Sequence, residues 1–336
     1  MTSVLLVRLS AMGDLVHGLG AVEALHHVRP QWRLTFVTQP MFAPLLRGVP
    51  GIHRVVEFAR RDGLRGVRRL RASLREDRYD VALDLQGNWK SAAVTLLSRA
   101  ADRIGMAPSM RQEPMSAWLL RRRIRFDGQP HPARCALELV RAVAPEAPFW
   151  LPRLAPEPAE VEFEKRAVAA AGVNPERPFR VIVVTDPRDV RSLLPRVIEA
   201  ETASSREPVL HLYGPAELAL TPIADVPTLR HGPEPRRLIA LGTVVARAGG
   251  VVLGPDQGAT HVLSAAGARC LVWFGAQDPR RTAPPGAVAL AHPDPPACSP
   301  CRADRCKHPS GRVCMEFGGV QALAAETGLP RPESRG

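Results

Sequence analysis

The sequence has 336 residues, which at about 150 residues per domain predicts two domains. Hydrophobic residues make up 45% and charged residues 23% of the chain, which excludes disorder over its whole length. The net charge of +12 favours partners that carry phosphate, such as nucleotides, nucleic acid or anionic lipids. No run approaches the ~20 apolar residues of a membrane-spanning helix, and the run Val4 to Val7 is too short for a signal peptide. We therefore expect a cytoplasmic protein.

Strands and helices are predicted to alternate through the first half of the chain. Ser3–Leu9 is an apolar run typical of a buried parallel strand, and Leu15–Val28 has apolar residues at helical spacing. Further strands are predicted at 33–38, 81–85 and 103–106, and further helices at 67–78 and 91–97. This alternation predicts an α/β fold with a doubly wound parallel sheet.

A proline-rich segment, Pro145–Pro158, predicts a linker to a second unit of the same kind. Beyond it, the pattern predicts strands at 180–185, 209–213, 250–253 and 270–274, and helices at 160–171 and 260–266. The predicted organisation is a first domain at residues 1–150, a second at 156–328 and a polar, disordered tail at 329–336.

The turn after the first strand contains Gly13 and Asp14. Ligands of open α/β sheets bind at the carboxyl ends of the strands, so Asp14 is a candidate general base. The alternative is that Asp14 only caps the following helix, whose N-terminus would lower its basicity. The turn lacks the glycine patterns of a dinucleotide fingerprint and of a P-loop, so it predicts neither of those sites.

A second turn, Gly254–His261, joins a predicted strand to a predicted helix in the second half. Its glycines leave amide groups at the helix start free for a phosphate. Asp256 is a candidate acceptor for a ribose or sugar hydroxyl, and His261 lies one helical turn further on. The alternative interpretation is a capped helix with a surface histidine.

Five segments in order resemble glycosyltransferase family 9, the ADP-heptose:lipopolysaccharide heptosyltransferases. They cover nearly the whole chain, beginning with SVLLVRLSAMGD at residues 3–14. The others are FAPLL at 42–46, YDVALDLQGNWKS at 79–91, the stretch from Gly254 to Gly267 continued by FGAQDPRR at 274–281, and the cysteine-containing segment at 298–315.

The resemblance implies a GT-B fold, with two Rossmann-like doubly wound domains facing across a cleft. It implies an inverting glycosyltransferase that moves heptose from ADP-heptose to Kdo or heptose of the lipopolysaccharide inner core, without a catalytic metal. Two alternatives stay open: a family member that uses another nucleotide sugar, and a degenerate member that binds glycan or nucleotide without turnover.

The resemblance also implies roles for individual residues. Asp14 matches the proposed catalytic base, and Asp256 matches the acidic residue that contacts the donor sugar. Glu217 matches a donor-side acidic residue near the nucleotide ribose. The donor-binding set it implies is Thr185, Arg191, Glu217, Asp256, Gly258, Ala259, Thr260 and His261.

One segment departs from the family pattern. Family members carry K-x-W-P after the first strand of the second domain, with the lysine on the donor phosphates. Counting back from Pro195, Ser192 takes the lysine position here. Arg188 and Arg191 are the candidate substitutes, although an arginine fork and a lysine point charge are not interchangeable.

Arginines are abundant in the first half and predict either solvated helix faces or a cradle for an anionic acceptor. We assign Arg60, Arg61, Lys90 and Arg121 to the acceptor side, because Kdo and lipid A are anionic. The same charge favours an anionic membrane surface as a partner, at the inner face of the cytoplasmic membrane. Nucleic acid is not expected, because recognition motifs are lacking and aromatics make up only 5% of residues.

Four cysteines cluster near the end of the chain. They are Cys298, Cys301, Cys306 and Cys314. Four thiolates in so short a segment are able to form a structural zinc site, although the spacing is not that of a standard finger. A reduced or disulfide-linked loop is the equal alternative.

Overall fold

The computed structural model describes residues 1–317, 323–324, 327 and 329–335. Residues Met1–Arg153 and the segment from Leu329 form one compact unit, unit 1. Residues Leu154–Gly328 form a second, unit 2. Within the described ranges, no helix is long and apolar enough to cross a membrane.

Unit 1 is built on a six-stranded parallel sheet. Its strands are β1 (Ser3–Val7), β2 (Arg33–Thr38), β3 (Ile52–Glu57), β4 (Val81–Asp84), β5 (Asp102–Met106) and β6 (Arg122–Ile124). Its helices are α1 (Met12–Val28), α2 (Gly63–Leu74), α3 (Trp89–Leu97) and α4 (Pro132–Arg141). The order across the sheet is β3-β2-β1-β4-β5-β6.

The apolar run of the first strand places β1 at the centre of the sheet, paired in parallel with β2 and β4. Helix α1 follows it and is buried over most of its length because it packs on α4. A Cβ at Gly20 would lie 2.0 Å from the carbonyl oxygen of Trp150. This position therefore requires glycine, since the backbone passes directly over the helix.

Unit 2 repeats the arrangement with seven strands. They are β7 (Arg180–Val184), β8 (Val209–Tyr213), β9 (Thr228–Arg230), β10 (Val251–Pro255), β11 (Arg269–Phe274), β12 (Val288–Ala291) and β13 (Leu323–Ala324). The helices are α5 (Pro158–Ala170), α6 (Pro195–Ser204), α7 (Arg236–Arg247), α8 (Gly258–Ala265) and α9 (Pro279–Thr282). Strand β13 is antiparallel to β12, and the other pairs are parallel.

Both sheets have the strand order of a Rossmann-like domain. In unit 1 the chain reverses its direction of growth between β1 and β4, and in unit 2 between β7 and β10. Ligands of open α/β sheets bind beside this switch, at the carboxyl ends of the strands. The predicted α/β class with two Rossmann-like doubly wound domains is thus confirmed, and the switch points identify where each site lies.

The C-terminal segment was expected to be a disordered tail at residues 329–336, but its described part packs on unit 1. The amide of Glu333 donates to the carbonyl of Phe149 at 2.9 Å. Arg335 forms an ion pair with the buried Glu23 and lies over the ring of Trp150 at 4.6 Å. The segment has the polar composition that predicts disorder. It is nevertheless ordered, because Arg335 neutralises the buried carboxylate of Glu23.

Candidate active site

A cavity of about 350 Å³ lies at the carboxyl end of β1, beside the switch point of unit 1. Its walls come from the segments that follow the first five strands. The lining residues are Arg8, Leu9, Ser10, Ala11, Asp14, Gln39, Phe58, Arg60, Gln86, Asn88, Lys90 and Gln112. Most of them are polar or charged, as suits a ligand rich in hydroxyl and anionic groups.

Asp14 is the acidic residue of this cavity. It is the third residue of α1, and it pairs with Arg8, whose side chain is 9% exposed against 33% for Asp14. The residue before the helix is Ala11, and no side chain caps the first amides. The interpretation of Asp14 as a plain N-cap is therefore wrong, and its carboxylate is open to the cavity.

Two glutamines hold the turn that carries Asp14. Gln39 Nε2 donates to the carbonyl oxygen of Leu9 at 2.9 Å, and Gln86 Oε1 accepts from the amide of Leu9 at 2.8 Å. Gln86 also donates to Ser10 Oγ at 3.2 Å. The backbone leading into α1 is therefore fixed from both neighbouring strands, β2 and β4.

The segment after β4 rests on a buried ion pair. Arg111 Nη2 donates to Asp84 Oδ2 at 2.6 Å, and both side chains are fully buried. Asp84 Oδ1 accepts from the amides of Gln86 and Gly87 at 3.1 Å each. Arg111 Nε also donates to Ser116 Oγ at 3.0 Å. This pair supports the wall to which Gln86 belongs.

The four basic residues predicted for the acceptor side separate in the structure. Arg60 and Lys90 line the cavity, whereas Arg61 is exposed beside it and is not part of the lining. Arg121 precedes β6, and the amino ends of parallel strands lie at the opposite edge of the sheet. Arg121 is therefore not brought to this cavity.

Sequence reasoning missed the neutral side chains of the wall and the partner of Asp14. The missed lining residues are Arg8, Gln39, Gln86, Asn88 and Gln112. Each lies just beyond the carboxyl end of a strand. Their position after a strand was the signal that could have identified them. Their residue type was not, because amide side chains are less typical of catalytic sites than acids or histidines.

In unit 2, the predicted donor residues follow three adjacent strands. Thr185 follows β7, Glu217 follows β8, and Asp256 follows β10, at the switch point of this sheet. Burial raises the pKa of Glu217, whose Oε1 accepts from the amide of Asp186 at 3.3 Å. The structure therefore brings these three positions to one edge of one sheet.

Asp256 has protein partners on both carboxylate oxygens. Oδ1 lies 2.9 Å from His261 Nε2, and Oδ2 accepts from Thr282 Oγ1 at 2.8 Å. The contact of Asp256 with a sugar or ribose hydroxyl stays a prediction, since each carboxylate oxygen has more than one lone pair. In the structure this carboxylate fixes the orientation of His261 and links α8 to α9, and Thr282 is a partner that the sequence did not reveal.

Helix α8 offers free amides at its start. Its N-cap, Gln257, makes no side-chain cap, and the amides of Gly258, Ala259 and Thr260 make no backbone bond within the described residues. The Thr260 hydroxyl is fully buried, so only its amide is able to meet a ligand. A Cβ at Gly254 would lie 2.6 Å from that hydroxyl, which explains the glycine. The helix start suits an anion.

The segment after β7 resolves the choice between two arginines. Arg191 Nη1 donates to the Asp256 carbonyl oxygen at 3.3 Å, and its Nη2 pairs with Asp189 at 2.7 Å, which raises the pKa of Arg191. Arg188 pairs with Asp186 and is largely exposed. Ser192 is buried and donates to the carbonyl oxygen of Asp186, with Thr185 donating to Ser192. Of the two arginines, Arg191 is the one that reaches the donor turn.

The cysteine loop, residues 298–314, supports both edges of this site. Arg312 Nη1 donates to the carbonyl oxygens of Asp189 and Ser192 at 2.6 and 2.9 Å. At the other edge, Ser299 Oγ donates to the carbonyl oxygen of Gly275 at 2.7 Å, and the amide of Arg302 donates to that of Ala276 at 2.8 Å. The loop therefore joins the segments that follow β7 and β11.

All six cysteines are free thiols, and Cys298, Cys301 and Cys306 are exposed. Burial, together with the three other sulfurs of the loop, raises the pKa of Cys314 to about 11. In the part of the chain that the structure describes, no three His, Cys, Asp or Glu side chains come together as a metal ion would require. The metal site that the spacing allows is therefore not assembled among the described residues.

Comparison with known proteins finds similar glycosyltransferases. The model of glycosyltransferase family 9 (heptosyltransferase) matches residues 67–187. The lipopolysaccharide core heptosyltransferase OpsX of Haemophilus influenzae is 24% identical over 296 residues, which cover 84% of this chain and 81% of OpsX. The chain is therefore similar to glycosyltransferase family 9 in sequence.

Solved structures of this family have the same fold. The family 9 glycosyl transferase from Veillonella parvula is 14% identical, with a TM-score of 0.72 over 86% of this chain and 84% of that one. E. coli heptosyltransferase WaaC with ADP-2-deoxy-2-fluoro heptose is 20% identical, with a TM-score of 0.64 over 82% and 90% of the two chains. The solved structures therefore share the fold of this chain.

Proposed function

We propose that this protein is an inverting, metal-independent heptosyltransferase that moves heptose from ADP-heptose to Kdo or heptose of the lipopolysaccharide inner core. OpsX is named a lipopolysaccharide core heptosyltransferase, and WaaC was solved with an ADP-heptose analogue. The observation that carries the proposal is the open carboxylate of Asp14 at the switch point of unit 1.

The donor binds unit 2 at the start of α8. The free amides of Gly258, Ala259 and Thr260 accept the pyrophosphate, and Arg191 adds a positive charge beside them. Glu217 faces the nucleotide ribose, and His261, held by Asp256, lies at the pyrophosphate site. These groups stabilise the charge that develops on ADP as it departs.

The acceptor binds unit 1, with Arg60 and Lys90 facing its carboxylate. Asp14 takes the proton of the acceptor hydroxyl. The hydroxyl oxygen then forms a bond to the anomeric carbon of the donor, while the bond from that carbon to the ADP oxygen breaks. Attack on the face opposite ADP inverts the anomeric configuration. Arg8 positions Asp14 throughout.

Replacement of the base tests this mechanism. Asp14→Asn preserves shape but cannot take a proton, and loss of a general base costs about 10²–10⁴-fold in rate. We expect at least a ~100-fold loss of turnover with little change in thermal stability. Asp62→Asn is the matched control, because Asp62 is an exposed carboxylate outside the cavity. Near-normal turnover by Asp14→Asn would refute the assignment.

A donor screen tests the nucleotide sugar. Ser192 stands where the family pattern has lysine, so Arg191 carries the positive charge in a different geometry. We expect turnover of ADP-heptose with a Kdo–lipid A acceptor, and none with UDP- or GDP-sugars. Turnover of one of these instead would identify another donor. ADP binding without turnover of any donor would identify a binding protein.

We also propose that the enzyme works at the inner face of the cytoplasmic membrane, as a peripheral protein. The inner-core acceptor carries lipid A, and the net charge of +12 favours an anionic surface. Arg65, Arg68 and Arg71 lie exposed on α2 and form no ion pair within the described residues. Arg60, which lines the cavity, lies just before this helix.

A further inference from the structure

Two neighbouring segments of unit 1 expose apolar side chains in register. On α3, Trp89, Ala93 and Leu96 are exposed at spacings of four and three residues, which places them on one face of the helix. The 3₁₀ segment Pro114–Leu119 packs against α3 and exposes Met115 and Trp118, which share a face at a spacing of three. Trp118 is 65% exposed and Trp89 is 45% exposed.

This apolar face is held firmly rather than carried on a loose loop. The amide of Trp89 donates to the Glu113 carboxylate, and the amide of Glu113 donates to the carbonyl oxygen of Gly87 at 3.3 Å. Arg111, buried beneath, joins Ser116 of the 3₁₀ segment to Asp84 at the end of β4. The two tryptophans are therefore displayed by buried polar contacts.

Basic residues adjoin both segments along the chain. Lys90, Arg99 and Arg121 are exposed and form no ion pair among the described residues. Arg123 Nε donates to the carbonyl oxygen of Ala117 at 3.1 Å, directly beside Trp118. Glu113 is an exposed acid on the same side, so the rim remains positive. An exposed apolar area with a charged rim marks a site of interaction.

We propose that this face, formed by Trp89, Ala93, Leu96, Met115 and Trp118, docks on an anionic phospholipid bilayer. Tryptophan is enriched at bilayer interfaces, where its ring lies among the headgroups, and a basic rim matches their negative charge. A symmetric contact between two copies would place the same arginines against each other, which costs free energy. The bilayer is therefore the complementary partner.

The apolar face lies next to the cavity, so docking would bring the cavity to the membrane; this argument rests on the proposed function. Helix α3 begins at the cavity, since Asn88 and Lys90 line it and Trp89 lies between them. Docking through α3 brings the cavity to the surface in which a lipid-anchored acceptor is embedded. Arg121, which the cavity does not use, has its role in the rim.

Vesicle sedimentation tests the docking face without any need for turnover. The full chain is mixed with phosphatidylcholine–phosphatidylglycerol vesicles and with pure phosphatidylcholine vesicles. We expect binding to the anionic vesicles, a blue shift of tryptophan fluorescence, and strong weakening at about 1 M salt, where the Debye length is ~3 Å. Equal binding to both vesicle types, or none to either, would overturn the proposal.

The variant Leu96→Ser/Trp118→Ser should bind anionic vesicles at least about tenfold more weakly, because it removes most of the apolar area that enters the interface. Phe163→Ser is the matched control, because Phe163 is an exposed aromatic of unit 2. Unchanged vesicle binding by the double variant, or a concentration-dependent dimer that the double variant abolishes, would overturn the proposal.

Acceptor choice separates this inference from the proposed activity. On a lipid-free Kdo acceptor the double variant should retain wild-type turnover, whereas on vesicle-embedded acceptor its turnover should fall by about the loss in binding. Asp14→Asn should fail on both acceptors. Loss of turnover by the double variant on the lipid-free acceptor would show that the face contributes to the reaction itself and would overturn the docking role.

Discussion

Replacing Arg111 with methionine should destabilise unit 1 and open the wall of its cavity. Arg111 and Asp84 are both fully buried and lie 2.6 Å apart. Methionine fills much of the same volume but leaves the Asp84 carboxylate buried without its cation. The amides of Gln86 and Gly87 still bond to Asp84 Oδ1, so the second oxygen bears the loss.

Removal of one partner from a buried ion pair costs about 3–5 kcal/mol of unfolding free energy. In a domain of about 150 residues each kcal/mol lowers the Tm by roughly 2–4 °C, so the unit 1 transition should fall by about 6–20 °C. Arg122→Met is the matched control, because the Arg122–Asp102 pair is solvent-exposed. Pairs of that kind contribute about 0–1 kcal/mol.

Differential scanning calorimetry of both variants measures this difference, and Asp84→Leu/Arg111→Met completes the test. The double variant removes the unpaired charge and should recover part of the lost stability, as buried pairs replaced by apolar side chains do. If Arg111→Met is no less stable than Arg122→Met, the buried pair does not support this wall and the reasoning fails.

Three further predictions concern unit 2. Burial lowers the pKa of His211 to about 4. The unfolded chain protonates His211 near pH 6.5, so about 3 kcal/mol of unfolding free energy is present above pH 6.5 and is lost as the pH falls toward 4. In His211→Phe the urea denaturation midpoint should therefore change less over that pH range. At pH 8, Ellman's reagent should react rapidly with the three exposed thiols and with the others only after unfolding. The reason is that burial raises the pKa of Cys135 and Cys270 to about 12. Fewer than three rapidly reacting thiols would indicate a metal or a disulfide. Arg312→Ala should weaken ADP binding about tenfold by calorimetry, and equal affinity with the exposed control Arg305→Ala would refute the support by the cysteine loop.

The central strands were predictable because they are continuous apolar runs. Strands β2 and β8 have the predicted bounds, and β1 ends two residues earlier than predicted. Five strands were missed: β3, β6, β9, β12 and β13. They lie toward the sheet edges, where one or both faces are open to water, so short segments such as Arg122–Ile124 lack an apolar signature. Helices α4, α6, α7 and α9 were also missed, although the apolar residues of α7 recur at helical spacing.

The candidate site was predictable where a motif places an acid or a histidine at a strand end, as with Asp14, Asp256 and His261. Its internal contacts were not, because they join distant parts of the chain. Thr282 lies 26 residues from Asp256, and Arg312 lies 123 residues from Asp189.

The ion pair between Glu23 and Arg335 affects the order in which the two units are completed during synthesis. Glu23 lies in α1, and its cation is made 312 residues later. At about 5–20 residues per second, the 182 residues that follow Arg153 up to Arg335 take about 10–35 s to synthesise. During that interval Glu23 of unit 1 lacks the cation with which it pairs in the complete structure. Unit 1 is therefore completed only after unit 2 has been synthesised.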